Sequence, residues 1–199
     1  MTPPVSLVFS TNGRVPKVRV WPALERLAQG SLEIAVVDKS KCNQVSKWIA
    51  HKNLPYIGIG VEPGIGRGEV LSLGLDSTNG DFVVFVDDDS GVLATENFPR
   101  SYVRTLQGKP EACVCAHLFN PVPNDWGLDP KYRMQALAHF YGVADGTLYV
   151  GDPTCYAVRR SAVVDIGESP LVFGRDRHRE WMRLHRWTTK NNWVMAGVS

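Results

Sequence analysis

Long apolar runs are missing from this chain. No stretch approaches the roughly 20 residues that a membrane-crossing helix needs, and the longest, around Asp81 to Val86, is bounded by acids. Cysteine is scarce: Cys42, Cys113, Cys115 and Cys155 show no C-x-x-C spacing, and Cys113 and Cys115 would share one face of a strand. That argues against a zinc site or a disulfide framework and for reduced, buried thiols. A strong charge of one sign is also lacking, since a net +2 is too small to argue for nucleic acid or a membrane by itself. The first residues have neither the basic start nor the apolar core of a signal peptide. A soluble, cytoplasmic protein without a transmembrane segment is the expectation. Glycine and proline are scattered without a period, which excludes collagen-like and low-complexity chains.

What is present suits one core. With 44% hydrophobic and 21% charged residues in a chain of 199, there is enough apolar material to bury, and no repeat or linker divides it. A single domain over residues 1–199 is expected, with 1–90 as one half and 91–199 as the other. Short β-branched or aromatic runs predict strands at Val5–Ser10, Leu32–Asp38, Tyr56–Gly60 and Phe82–Asp87. Helical periodicity predicts Lys17–Ala28, interrupted or delayed by Pro22, then Gln44–His51 and Gly68–Asp76. This alternation is that of an α/β fold with a doubly wound, mostly parallel sheet. Later, a helix over Pro99–Gln107, strands at Ala112–His117 and Thr154–Val158, a short helix at Arg160–Ile166, a helix over Asp176–Lys190 and a closing strand at Trp193–Ala196 are expected. Phe119–Pro130, with three prolines and a glycine, reads as a long loop.

In such sheets ligands gather at the carboxyl ends of the strands. The residues there are Ser10, Thr11 and Asn12, then Asp38, then Asp87, Asp88 and Asp89. An apolar strand that delivers three adjacent carboxylates creates repulsion that a cation relieves. Asp87 and Asp89, at i and i+2, can both reach a hard divalent ion that leaves room for substrate phosphates. A solvated acidic turn is the bland alternative, of about equal weight on this tripeptide alone. The spacing of an EF-hand loop is absent.

Near the other end, Asp176, Glu180, Arg183 and Trp187 fall on one helical face at spacings of three and four. Arg175, Arg177, Arg179, Arg183, Arg186 and Lys190 outnumber those two acids locally, which points to an anionic partner more strongly than the whole-chain charge does.

Three stretches together resemble family 2 glycosyltransferases, which have the A-type glycosyltransferase (GT-A) fold. They are Leu32–Ser40 ending in Asp38, the Gly-rich Gly64–Leu75 with Arg67, and the D-x-D strand ending at Asp87 and Asp89. The resemblance resumes over Gly151–Gly167, and spans roughly residues 5–90 and 150–197. It implies a metal-dependent, inverting transfer of a sugar from a nucleotide diphosphate, UDP-linked by preference, to an acceptor hydroxyl. It implies that Asp38 touches the uracil base, that Asp87 and Asp89 hold Mn²⁺ or Mg²⁺, and that Arg67 helps with the donor; the strand-end position of Ser10, Thr11, Asn12 and Asp88, and charge-assisted bonds from Arg183 or Arg186 to a diphosphate, add these to the candidate donor-binding residues. Ser72 stands where the family has an Asn. Register from Arg186 makes Glu180 the base, and register from Gly167 makes it Asp176. The acceptor is unread: a lipid-linked glycan, a protein, a small molecule or a modified DNA base. The alternatives are a sugar nucleotidyltransferase and a non-catalytic nucleotide-binding relative.

Overall fold

Period-two alternation in the strands sends successive side chains to opposite sides of one sheet, and here both sides are covered. The structure, a computed structural model, describes residues 4–13, 17–30, 32–52, 55–62, 64–88, 90, 93, 95–110, 112–119, 141–144, 147–164 and 194–198. The chain begins with β1 (Val5–Thr11), α1 (Lys17–Ala28), β2 (Glu33–Asp38), α2 (Gln44–His51), β3 (Tyr56–Gly60), α3 (Arg67–Asp76) and β4 (Phe82–Asp87). It continues through α4 (Arg100–Gly108), β5 (Ala112–Phe119), β6 (Tyr141–Ala144), β7 (Thr147–Arg159), α5 (Arg160–Val164) and β8 (Val194–Val198).

The strands form one eight-stranded sheet in the order β3-β2-β1-β4-β7-β5-β8, with β6 paired to β7. Among the described strands only the pairings of β7, with β4, β5 and β6, are antiparallel. Leu7, Phe9, Ile34, Val36, Val84 and Val86 pack with Leu24, Leu27, Ile49 and Leu106, so α1, α2 and α4 cover one side. Val8, Val37, Val83 and Phe85 pack with Val70, Leu75 and Ala162, which puts α3 and α5 on the other. All six residues of β4 are buried, as a strand covered on both faces requires. Each buried Leu, Phe or Val contributes about 1.5–3 kcal/mol. Helix α3 lies so close to β1 that a side chain at Gly74 would run into Val8.

The first four strands and three helices fall where sequence reading puts them, within a residue at each end. Pro22 does not interrupt α1, which runs unbroken from Lys17 to Ala28. Core packing holds it: Leu24 and Leu27 are buried, and Trp21 stacks on Trp48 of α2 with ring centroids 4.0 Å apart. The strand expected at Thr154–Val158 is the end of a thirteen-residue β7. Gly151 and Pro153 argue against its extension in the sequence, and the paired strand tolerates them through a register shift between Ala116 and Leu118. The closing strand begins at Val194 and pairs parallel to β5. Phe119 ends β5, and the rest of the expected loop and the helix over Asp176–Lys190 lie outside the described residues.

Cys115 and Cys155 are buried, as expected, while Cys42 is exposed in the turn between β2 and α2, contrary to a uniformly buried set. Burial pushes the Cys115 thiol up to about 12, against the opposing pull of a hydrogen bond with the Ala157 backbone. It stays protonated and inert. No helix among the described residues is long and apolar enough to cross a membrane.

The amino end of the sheet is closed by a polar cluster. The Ser6 hydroxyl and the Asn79 N–H both donate to Glu33 Oε2 at 2.6 Å. Arg160 donates to the carbonyls of Gly80 and Leu75 and to Thr78 Oγ1 at 2.7–2.9 Å. These bonds fix the turn that feeds β4, and so set where β4 ends.

Candidate functional site

From β1 the chain winds outward to β2 and β3, then returns across the sheet through α3 to β4 on the far side of β1. The winding direction therefore reverses between β1 and β4, and a doubly wound sheet leaves a crevice at that point, beyond its carboxyl ends. Buried polar side chains collect at this edge: Ser10, Thr11, Asp38, Ser40, Asp87, Asp88 and Ser90, against only Ser6 and Thr78 elsewhere among the described residues. Polar groups are taken out of water at this density only where they bond one another or await a ligand.

Strand register sets each of two acids beside the end of β1. Ser10 pairs with Asp87 across β1 and β4, and Thr11 pairs with Asp38 across β1 and β2. Asp87 is 4% exposed and, by strand alternation, follows Val83 and Phe85 toward the α3 side. Asp88 has a different duty. Its Oδ2 accepts from the Thr11 hydroxyl at 2.7 Å and from the Asn12 N–H at 3.3 Å, while its own N–H donates to the Ser10 carbonyl at 3.0 Å. The middle acid of the three is thus a latch between β4 and β1. Thr11 Oγ1 accepts in turn from the Gly13 N–H at 3.0 Å, which shapes the turn after β1. Gly13 has φ +72°, and a Cβ there would lie 2.7 Å from that of Ser40.

Asp38 is fully buried. Its carboxylate accepts from the Ser40 N–H at 2.8 Å and from the Ser46 N–H, in the first turn of α2, at 2.7 Å. Each oxygen holds one backbone donor and keeps a second lone pair. The residue therefore caps α2 whatever else it does. Ser40 adds to the cap, its Oγ accepting from the Gln44 N–H at 2.9 Å. Cys42 and Asn43 follow in left-handed backbone, with φ of 60° and 51°.

Arg67 opens α3, whose first turn has Gly66 as N-cap and no side-chain cap. Ser72 is half-buried further along that helix. Asn12 is exposed at the end of β1. Asp89, Asp176, Glu180, Arg183 and Arg186 lie outside the described residues. The structure thus brings Ser10, Thr11, Asn12, Asp38, Asp87 and Asp88 to one edge and leaves Ser72 along a helix. Sequence reading missed two members of the edge as site residues: Ser40, whose signal was its place after Asp38, and Ser90, which carries no pattern beyond following three acids.

A divalent cation fits this donor set. The buried Asp87 carboxylate supplies hard oxygen donors at the carboxyl end of β4. Among those residues no three His, Cys, Asp or Glu side chains are grouped to hold an ion by themselves. Such an ion would complete its shell with Asp89 or with phosphate oxygens, as magnesium-type sites do.

No family model and no curated protein sequence matches the chain. Solved structures do. A mannosyltransferase of Pyrobaculum calidifontis, in complex with GDP-Man and Mn²⁺, is 17% identical, with TM-score 0.63 over 99% of this chain and 55% of that one. The glucosyl-3-phosphoglycerate synthase of Mycobacterium tuberculosis, in complex with Mn²⁺, UDP and glucosyl-3-phosphoglycerate, is 20% identical, with TM-score 0.58 over 81% and 58%. A 4-diphosphocytidyl-2C-methyl-D-erythritol synthase of Anaerococcus prevotii is 12% identical, with TM-score 0.57 over 98% and 86%. The chain spans little more than half the length of the first two. At these identities the likeness establishes architecture: the chain has a GT-A-like, nucleotide-diphospho-sugar transferase fold, a mostly parallel sheet flanked by helices.

Proposed function

We propose that this chain is a cytoplasmic, metal-dependent glycosyltransferase that moves a sugar from a nucleotide diphosphate, UDP-linked by preference, to an acceptor hydroxyl with inversion. One observation carries the reading: buried Asp87 stands at the β1–β4 reversal of a GT-A-like sheet, with Asp88 turned aside to brace β1. In this reading residues 1–90 hold the donor and 91–199 hold the acceptor and the base. Asp38 meets the imide N–H of the base, Ser10, Thr11 and Asn12 border the nucleotide, and Arg67 and Ser72 line its approach. Arg183 and Arg186 bind the diphosphate. Mn²⁺ or Mg²⁺ bound by Asp87 and Asp89 would supply positive charge to the departing diphosphate. Glu180 or Asp176 takes the acceptor proton as the acceptor oxygen bonds to the anomeric carbon and the bond to the diphosphate breaks. The basic surplus from Arg175 to Lys190 suits an anionic acceptor, such as a lipid-linked glycan or a modified DNA base.

A second reading has its own observation. The Anaerococcus prevotii synthase matches this chain over 86% of its own length, which the two sugar transferases do not approach. A nucleotidyltransferase would release pyrophosphate from a nucleoside triphosphate. Incubating the chain with a panel of UDP and GDP sugars, with Mn²⁺ or with chelator, tests the first reading: metal-dependent release of nucleoside diphosphate is expected. Pyrophosphate release from UTP or CTP with a sugar phosphate would replace it with the second. Silence in both assays, with nucleotide still bound, identifies a non-catalytic relative.

A further inference from the structure

The turn after Asp87 carries a buried hydroxyl at Ser90. Ser90 is 7% exposed, and its Oγ has no hydrogen-bond partner among the described residues. The backbone around it is fixed from both sides. Its N–H donates to the Asp87 carbonyl at 3.1 Å, and its carbonyl accepts from the Leu93 N–H at 3.4 Å. Leu93 is buried in the core under α1, and its carbonyl accepts from Arg26 Nη2 at 3.1 Å. These bonds tie the Ser90 backbone to Asp87 on one side and Leu93 on the other.

A polar atom desolvated and left unpaired costs the free protein stability. Where a fold keeps one at a functional edge, a ligand that completes the bond accounts for it. Its position selects the ligand, because Ser90 follows Asp87 at the carboxyl end of β4, bonded through its N–H to the Asp87 carbonyl, beside the β1–β4 winding reversal. A hydroxyl can donate there to an anionic oxygen, and such bonds are stronger than neutral ones.

We propose that Ser90 is a binding residue for the donor's diphosphate, its hydroxyl donating to an anionic phosphoryl oxygen. This rests on the donor-site reading above and adds to it a residue that acts on phosphate directly. The test is calorimetry of the full chain with UDP and Mn²⁺, with Mn²⁺ alone, and a thermal melt without ligand. Ser90→Ala is expected to weaken UDP binding about 10- to 100-fold, to leave affinity for Mn²⁺ alone unchanged, and not to lower the melting temperature of the free chain. Ser90→Cys fills the same space with a weak donor and is expected to weaken UDP as well, which separates the lost bond from lost packing. Wild-type UDP affinity in Ser90→Ala overturns the assignment, as does an equal loss of Mn²⁺ alone, which would make Ser90 a metal-side group. Failure of the wild type to bind UDP with Mn²⁺ is a different result: the donor-site reading itself then falls and takes this one with it.

Discussion

Thr11 and Asp88, 77 residues apart in sequence, meet in a buried hydroxyl-to-carboxylate bond of 2.7 Å. The bond ties the ends of β1 and β4 at the point where winding reverses, so both walls of the crevice move together. Without Asp88 the buried Thr11 hydroxyl and the part-buried Asn12 N–H lose their charged acceptor. Asp88→Ala should therefore destabilise the fold by about 1–3 kcal/mol, read from urea unfolding. A double-mutant cycle with Thr11→Val should give a coupling of at least about 0.5 kcal/mol. Strict additivity would show that the latch carries no energy.

Asp38 supports two expectations that a single alanine variant confuses. It caps α2 through the Ser40 and Ser46 N–H groups, and in the proposed reading its remaining lone pairs receive the imide N–H of uracil. Asp38→Asn leaves one oxygen and turns an NH₂ toward a backbone donor, so a loss of about 1–2 kcal/mol in stability is expected from the cap alone. Base reading is decided in the wild type: UDP should bind more tightly than ADP, since adenine presents no imide donor. Equal affinities would leave Asp38 as a cap only.

Glu33 predicts the acid limb of stability. Burial alone would raise its carboxyl, but the Asn79 N–H, the Ser6 hydroxyl, the Asn79 side chain and the Gly80 N–H together hold it below its ordinary value of 4.5. A carboxyl lowered in the folded state stabilises the protein above its unfolded value, and the contribution is lost as pH falls through the folded one. Stability from urea unfolding should drop as pH falls below about 4.5. Glu33→Gln should be less stable at neutral pH and show a flatter acid limb. An unchanged slope would exclude Glu33 as the group responsible.

The strands nearest the site were legible because they are buried on both faces: Phe82–Val86 reads as a continuous apolar run, and Asp87 marks its end without ambiguity. The partners of the acids were not legible. Asp38 and Asp88 bond to backbone N–H groups and to a hydroxyl brought close by folding, and nothing in D-K-S or D-D-D distinguishes a cap or a latch from a ligand contact. Ser90 shows the same limit from the other side, since its meaning lies in being buried and unpaired. Strand β7 runs through Gly151 and Pro153, which local propensity disfavours and sheet pairing overrides.

Asp176 and Glu180 share one predicted helical face, and their variants separate the base from its neighbour. A general base acts on the acceptor proton in the transition state and touches the donor little beforehand. Glu180→Gln should therefore keep UDP-sugar affinity within a few fold while transfer falls by about 10²- to 10⁴-fold, with Asp176→Asn hurting less. Glu180 ranks first on its spacing of six residues before Arg186. Measuring single-turnover transfer and donor affinity in both variants decides the order. Loss of turnover in Asp176→Asn alone would make the register from Gly167 the correct one and Glu180 a surface acid. Wild-type transfer in both would move the catalytic acid off the Asp176–Lys190 segment altogether, leaving the donor half of the reading to stand on Asp87, Asp38 and Ser90.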